Sequence, residues 1–298
     1  NYAIVLGNYA FFLHEIRKDY DQAESFYRRS LEADPNYAIN LGNYALFLHQ
    51  IRKDYGKAEQ FYLRAIQSDP NDANVLGNYA FFLHQIRKDY DQAESFYLRA
   101  LEADPNYANA LGNYALFLKN IRKDYDQAES FYLRAIQANP NYAHALGGYA
   151  VFLSTIRKDY DQAGQFYQRA VEADPKNANN LGNHAGLLLF SGKQEAGYAA
   201  LDKAIALLPA PQHPGLAAEL WFYAFCHRPE DRRAAALKNL KIALLTGERS
   251  PGWDLSANVE RARQDGHPDM QWIELLAAVI TQGEDIQKLE AWPAWQKA

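Results

Sequence analysis

The sequence predicts an all-α protein: a solenoid of stacked helical hairpins with a helical cap at its C-terminal end. Three observations carry that expectation. The chain of 298 residues aligns with itself at a fixed period of 35, each period holds two amphipathic helical patterns, and the period dissolves near residue 209. A unit this short cannot bury both of its apolar faces alone, so each repeat must stack on its neighbours.

Five rows match almost letter for letter and end at Pro35, Pro70, Pro105, Pro140 and Pro175, giving hairpins over 1-35, 36-70, 71-105, 106-140 and 141-175. In the first row Ala3, Leu6, Ala10 and Leu13 recur at spacings of three and four and fall on one face of a first helix. Asp19 suits the N-cap of a second helix, with Gln22 three residues on in a capping-box pattern. Ala23, Phe26, Tyr27 and Leu31 form that helix's apolar stripe, with Ser30 in the small slot that Ala65, Ala100, Ala135 and Ala170 fill later. Small residues at positions 10 and 23 let the two axes approach, while Tyr9, Phe12 and Leu13 are expected to fill the space between neighbouring hairpins. A sixth row, 176-209, has 34 residues and carries Gly192 where the others have an Arg-Lys-Asp turn.

These residues resemble the tetratricopeptide repeat family. The match runs through Ala3, Leu6, Ala10 and Leu13, then Tyr20, Ala23 and Tyr27, and Pro35 at the end of the row, with Ala10 in place of the usual glycine. The resemblance implies a right-handed superhelix whose first helices line a concave groove. The 35th residue departs from the family's 34 and is expected in the Arg17, Lys18, Asp19 turn.

Beyond Pro209 the segment 210-298 reads as a degenerate hairpin, Gly215 to Cys226 and Glu230 to Thr246, followed by capping helices near 256-265, 268-282 and 286-291. It holds all five tryptophans: Trp221, Trp253, Trp272, Trp292 and Trp295. The first row shows no comparable cap, which raises the expectation of further protein upstream or of an intermolecular contact, a homo-oligomer, at that end.

Little in the composition or the motifs points to catalysis. A net charge of −5 offers no field for phosphates, so nucleic acid is not an expected partner. No apolar run suits a membrane span, and one cysteine, Cys226, allows no internal disulfide. A reducing, cytoplasmic setting is expected, and no cofactor and no metal. No phosphate loop, dinucleotide fingerprint, nucleophile elbow or zinc-protease motif occurs, so the chain is not expected to be an enzyme. His14, His49 and His84 share one phase of three rows, but stacked repeats separate them by about 10 Å, too far to share a zinc ion; surface or groove polarity is the expectation. Cys226 is expected to be a small buried apolar residue, and the Arg-Lys pairs from Arg17 to Arg157 to be solvated turn residues.

The informative stripe lies on the other side of the first helix. Positions 4, 8, 11 and 15 of a row are spaced to line up along it. The third row supplies Asn74, Asn78, Phe81 and Gln85, the fourth Asn109, Asn113, Leu116 and Asn120, and the sixth Asn179 and Asn183; Asn8 and Asn43 hold the same phase in the first two. Rows two to six place no Asp, Glu, Lys or Arg on this stripe. A primary amide can pair with a backbone C=O and N–H without reading a side chain. Position 8 is similar to the asparagine ladder of peptide-binding members of the family, such as the repeat domain of O-GlcNAc transferase. The expected function is therefore a protein–protein interaction scaffold that holds an extended, mostly uncharged polypeptide segment; Lys119 alone does not make the carboxylate clamp of chaperone-binding members. The alternatives are a self-assembling, filament-forming repeat protein and the sensor arm of a larger signalling protein.

Overall fold

A computed structural model describes residues 2–209 and 215–298, which fall into two compact units, Asn1–Ala145 and Leu146–Ala298. Asn1 and the segment 210–214, where the second domain of the sequence reading begins, lie outside the described residues. All regular elements among the described residues are helical.

The first unit pairs α1 (Tyr2–Phe12) with α2 (Tyr20–Ala33), α3 (Ala38–Phe47) with α4 (Tyr55–Ser68), α5 (Ala73–Phe82) with α6 (Tyr90–Ala103), and α7 (Ala108–Phe117) with α8 (Tyr125–Ala138). Each second helix opens on an aspartate: Asp19 Oδ1 accepts from the Gln22 N–H at 3.2 Å, and Asp54, Asp89 and Asp124 repeat the cap at 3.1 Å. Gln22 does not complete a true capping box, because its Nε2 donates to the Asp19 carboxylate, at 2.7 Å, instead of the side chain accepting from the cap backbone.

The first helices do not end as ordinary α-helices. Leu13–Arg17, Leu48–Arg52, Leu83–Arg87 and Leu118–Arg122 are π-helical turns, each followed by a lysine in the left-handed region: Lys18, Lys53, Lys88 and Lys123, with φ between 56° and 58°. The Asp19 N–H reaches six residues back, to the Leu13 carbonyl at 3.0 Å. The 35th residue thus widens the last turn of the helix and is not an insertion in the Arg-Lys-Asp turn that follows, as the sequence reading had it; a π-turn absorbs one residue without breaking the hydrogen-bonding run.

Between hairpins the packing is aromatic. Tyr27, Tyr62, Tyr97, Phe47, Phe82 and Phe117 are fully buried, and the Tyr27 ring lies 5.5 Å from Tyr44 and 5.7 Å from Phe47 of the next hairpin. Tyr9 and Phe12 do not fill such a space in the first hairpin: they are 44% and 42% exposed, against 3% or less at Tyr44, Phe47, Tyr79 and Phe82. The first helices also approach closely, so that a Cβ on Gly42 would lie 2.6 Å from Val75 Cγ2.

One expectation is corrected here and a second is refined. His14, His49 and His84 are buried, not groove or surface groups, and each ring stands edge-on to the next hairpin's phenylalanine, 5.2 Å from Phe47, Phe82 and Phe117 respectively. Nδ1 of His14 and of His84 meets Tyr27 Oη and Tyr97 Oη at 3.4 and 3.5 Å. Burial lowers His49 and His84 to about 4, and His14 also titrates below its ordinary range, so all three are neutral near pH 7. The arginines of the Arg-Lys pairs are exposed, as expected, but Arg52, Arg87 and Arg122 are also paired with the preceding hairpin. Arg52 pairs with Asp21 at 2.6 Å and Glu24 at 2.7 Å on the preceding hairpin, Arg122 repeats this with Asp91 and Glu94, and Arg87 holds Glu59 alone because Gly56 stands where the aspartate would be. Each guanidinium lies 5.4–5.5 Å from the ring centre of Phe47, Phe117 or Phe82.

Helix α9 (Ala143–Phe152) runs across the division between the units and ends in the π-turn Leu153–Arg157. The second unit continues with α10 (Tyr160–Ala173), α11 (Ala178–Phe190), α12 (Gln194–Ile205), α13 (Leu216–His227), α14 (Glu230–Leu245), α15 (Ser256–Gln264), α16 (Met270–Thr281), a 3-10 turn at Ile286–Ala291 and α17 (Pro293–Lys297). One core joins α11 to α16, with Trp292 and Trp295 buried in it. Trp272 and Trp292 stack at 5.4 Å and 7°, and Lys241 Nζ donates to the Trp295 carbonyl at 2.7 Å. Cys226 is buried in this core, and burial pushes its thiol up, as suits an apolar filler.

Candidate functional site

In the first unit α3, α5 and α7 lie side by side, each packed against the next. Their apolar residues are spent on the hairpin partner and on the neighbouring hairpin, which leaves positions 4, 8, 11 and 15 at a half-open face. Asn43, Asn78 and Asn109 are half-buried, Asn113 is 7% exposed, and Asn8, Asn74 and Asn120 are exposed. Asn78 Nδ2 donates to Asn74 Oδ1 at 2.6 Å, and Asn113 Nδ2 donates to Asn109 Oδ1, also at 2.6 Å. These i, i+4 pairs hold each position-8 amide in one orientation, with a carbonyl oxygen at Asn78 or Asn113 and an amide nitrogen at Asn74 or Asn109 not used by the pair. Asn8 and Asn43 have Ile4 and Ile39 at the preceding turn and form no such pair.

Phe81 and Leu116 sit half-buried beside the amides; the Phe81 ring is 6.3 Å from His49 of the preceding hairpin, and Gln85 Nε2 lies 3.5 Å from His84 Nε2. Lys119 holds the histidine position in the fourth hairpin, and burial lowers it to about 8. A second type of asparagine is easily confused with the stripe. Asn40, three residues before Asn43, is 1% exposed and donates from Nδ2 to the Tyr27 carbonyl at 3.1 Å, locking two hairpins together.

The second unit has a small cleft of about 60 Å³ beside α11. Asn183 and Gly186 form its floor, with Leu187 and Phe190 on the same helix. Ser154, Thr155, Tyr160 and Tyr167 of the fifth hairpin make one wall, while Tyr223, Trp253 and Asp254 make the other. Trp253 Nε1 donates to Tyr223 Oη at 3.0 Å, the Tyr160 and Phe190 rings meet edge-on at 5.0 Å, and Lys158 Nζ lies 3.5 Å from Asp254 Oδ2 at the rim. A Cβ on Gly186 would lie 2.9 Å from the Tyr223 ring, so the glycine admits α13 here. Asn183 therefore stands inside this cleft, 5% exposed, while Asn179 is half-buried one turn earlier.

The sequence reading missed the cleft's second wall. Trp253 and Asp254 lie about sixty residues beyond α11 and belong to no repeat. The available signal was the set of departures in the repeat pattern itself: Ser154 in the histidine phase, Gly186 at position 11, and Leu187 where other rows have phenylalanine.

Among the described residues no group of three or more His, Cys, Asp or Glu side chains is placed to hold a metal ion, and no helix is long and apolar enough to cross a membrane.

Family models described as tetratricopeptide repeat match residues 49–114, 17–73, 87–143 and 122–178, which together run over more than half of the chain. No curated protein sequence matches the chain. Among solved structures it is similar to Pseudomonas aeruginosa pilF, at 23% identity over 70% of this chain and 92% of that one, with a TM-score of 0.56. PilW, described as a widely conserved type IV pilus biogenesis factor, matches at 19% identity over 70% and 94%, also with a TM-score of 0.56. A tetratricopeptide repeat protein from Parabacteroides merdae matches at 16% identity over 93% and 98%, with a TM-score of 0.52. At these identities the likeness is one of fold.

Proposed function

The chain belongs to the tetratricopeptide repeat family, and from that premise we propose that it is a non-catalytic scaffold that binds an extended, mostly uncharged polypeptide segment along the open face of α3, α5 and α7. The observation that carries this reading is the repetition of one amide pair, Asn74–Asn78 and Asn109–Asn113, at 35-residue spacing and 2.6 Å in both copies. Each pair offers one donor and one acceptor, the complement of a peptide unit, and no charged side chain stands at positions 4, 8, 11 or 15 of either helix. An extended chain laid across the helices would meet the pairs in turn, with Phe81 and Leu116 against its side chains.

The test is the Asn78→Ala/Asn113→Ala variant. Capture with the intact chain as bait identifies the polypeptide, and calorimetry then compares the two proteins against it. The expected loss is roughly tenfold or more, about 1.4 kcal/mol, with unchanged helical content. Equal affinity in the variant removes the ladder.

A second reading, self-association, is favoured by the first hairpin, where Tyr2, Val5 and Ile16 are 63%, 64% and 69% exposed. Sedimentation across a concentration series decides it, because a monomer at all concentrations excludes that contact.

A further inference from the structure

We propose that Lys119 is the charge-reading position of the open face: it pairs with a single carboxylate of the bound polypeptide, which is otherwise uncharged. The proposal rests on the polypeptide-binding reading and adds to it one residue, one ligand group and the hairpin at which that group sits.

Position 14 of a hairpin lies directly beneath the stripe. The Phe81 ring, at position 11, is 6.3 Å from His49 of the preceding hairpin and 6.4 Å from His84 of its own, and Gln85 Nε2 lies 3.5 Å from His84 Nε2. Hairpins one to three put an imidazole in this place, buried against the next hairpin's phenylalanine and neutral near pH 7. The fourth puts Lys119 there, in the π-turn Leu118–Arg122 and one turn beyond Leu116 of the stripe. Longer than a histidine, this side chain is only half-buried.

Two features suit it to a carboxylate. Lys119 has neither a carboxylate nor a hydrogen-bond partner among the described residues, and the charge that acts on it is another cation, Lys123. Its partial burial removes water without supplying a counter-charge, so the ammonium titrates at about 8 and is still mostly protonated at pH 7. The second feature is the absence of a competitor on the stripe, since Gln85, Asn109, Asn113, Leu116 and Asn120 are all uncharged. Elsewhere in the unit the cations are answered from within: Arg52, Arg87 and Arg122 hold carboxylates of the preceding hairpin, and Lys57 holds Asp54. A half-buried ammonium left unanswered gains a charge-assisted hydrogen bond from an incoming carboxylate and repels an incoming cation.

The probe is a library of decapeptides blocked at both ends, uncharged throughout except for a central position shared equally by Asp, Glu, Asn and Gln. A second library keeps Asn or Gln at the centre and compares a free C-terminal carboxylate with its amide. Both are captured on the immobilised full chain at pH 7 and sequenced. The expected enrichment of Asp and Glu over Asn and Gln is about fivefold, the upper end for a partly exposed ion pair. Lys119→His, which restores the residue of the first three hairpins, should abolish it, and Lys119→Arg should keep it, with circular dichroism checking that both variants are folded. Enrichment in the second library, lost in Lys119→His, supports the pairing and assigns the carboxylate to a chain end. No preference for a carboxylate in either library, or a preference that survives Lys119→His, overturns the proposal. Capture of no peptide at all overturns the polypeptide-binding reading and this proposal with it, whereas capture that needs Asn78 and Asn113 but shows no carboxylate preference overturns the proposal alone.

Discussion

The first five hairpins and the sixth solve the same turn in two ways. In the five, the first helix ends in a π-turn and a lysine carries the positive φ; in the sixth, α11 remains α-helical to Phe190, Lys193 N donates five residues back to the Leu188 carbonyl at 2.9 Å, and Gly192 carries a φ of 78°. One residue separates the two solutions, since the Asp19 N–H reaches six back. In hairpins one to three the widened turn comes with a junction of buried rings, and in hairpins two to four with an inter-hairpin arginine pair, whereas the widened turn of the fifth hairpin meets the leucine and glycine of the sixth at a cleft. The packing between hairpins thus opens where a repeat departs from its neighbours.

The largest test of that comparison is truncation of the same position in different hairpins. Phe82→Ala should cost about 3–5 kcal/mol, because the ring is fully buried against His49. Phe12→Ala, at the identical phase but 42% exposed, should cost less than about 1 kcal/mol. Urea unfolding of the two variants measures both, and similar losses would mean that burial does not distinguish these hairpins.

Acid should act next. His49 and His84 titrate near 4 when folded and near 6.5 when unfolded, so the unfolded chain binds more protons between those values and stability falls as pH drops from 6.5 toward 4. At pH 5 the loss should be about 2 kcal/mol per buried histidine. A His49→Gln/His84→Gln protein should show a flatter profile over that window, and an equal slope would place the acid sensitivity elsewhere.

The turn itself offers a smaller effect. Gly192→Lys should destabilise by about 1 kcal/mol, since an L-residue is strained at that φ, while Lys88→Gly should be neutral or stabilising by no more than about 1 kcal/mol. Thermal melts that moved both variants the same way would break the equivalence of the two turns. The smallest expected change is in stability for Asn78→Ala, about 0.5 kcal/mol or less, because the amide is half-buried and its partner Asn74 is exposed.

Much of this was legible in order along the chain. The spacing of Ala3, Leu6, Ala10 and Leu13 marks the packing face, and those four are buried as that spacing requires. Asp19 marks the start of α2 because an aspartate oxygen satisfies an orphan N–H locally. The histidines were misread because helix phase shows which side of a helix a residue takes, not how deeply the next hairpin covers that side. The pairing of the arginines was hidden for a related reason: Glu24 lies twenty-eight residues from Arg52 and reaches it only when hairpins stack.

The sequence by itself determined the all-α repeat, the two helices of each hairpin and the row of amides, since periodicity and capping act between residues a turn or two apart. Only the tertiary structure decided that the 35th residue widens a helix, that three histidines are core groups, and that Ser154 and Gly186 share a cleft with Tyr223 and Trp253. Those outcomes depend on which distant side chains fill a common space, and close packing settles that between segments rather than along them.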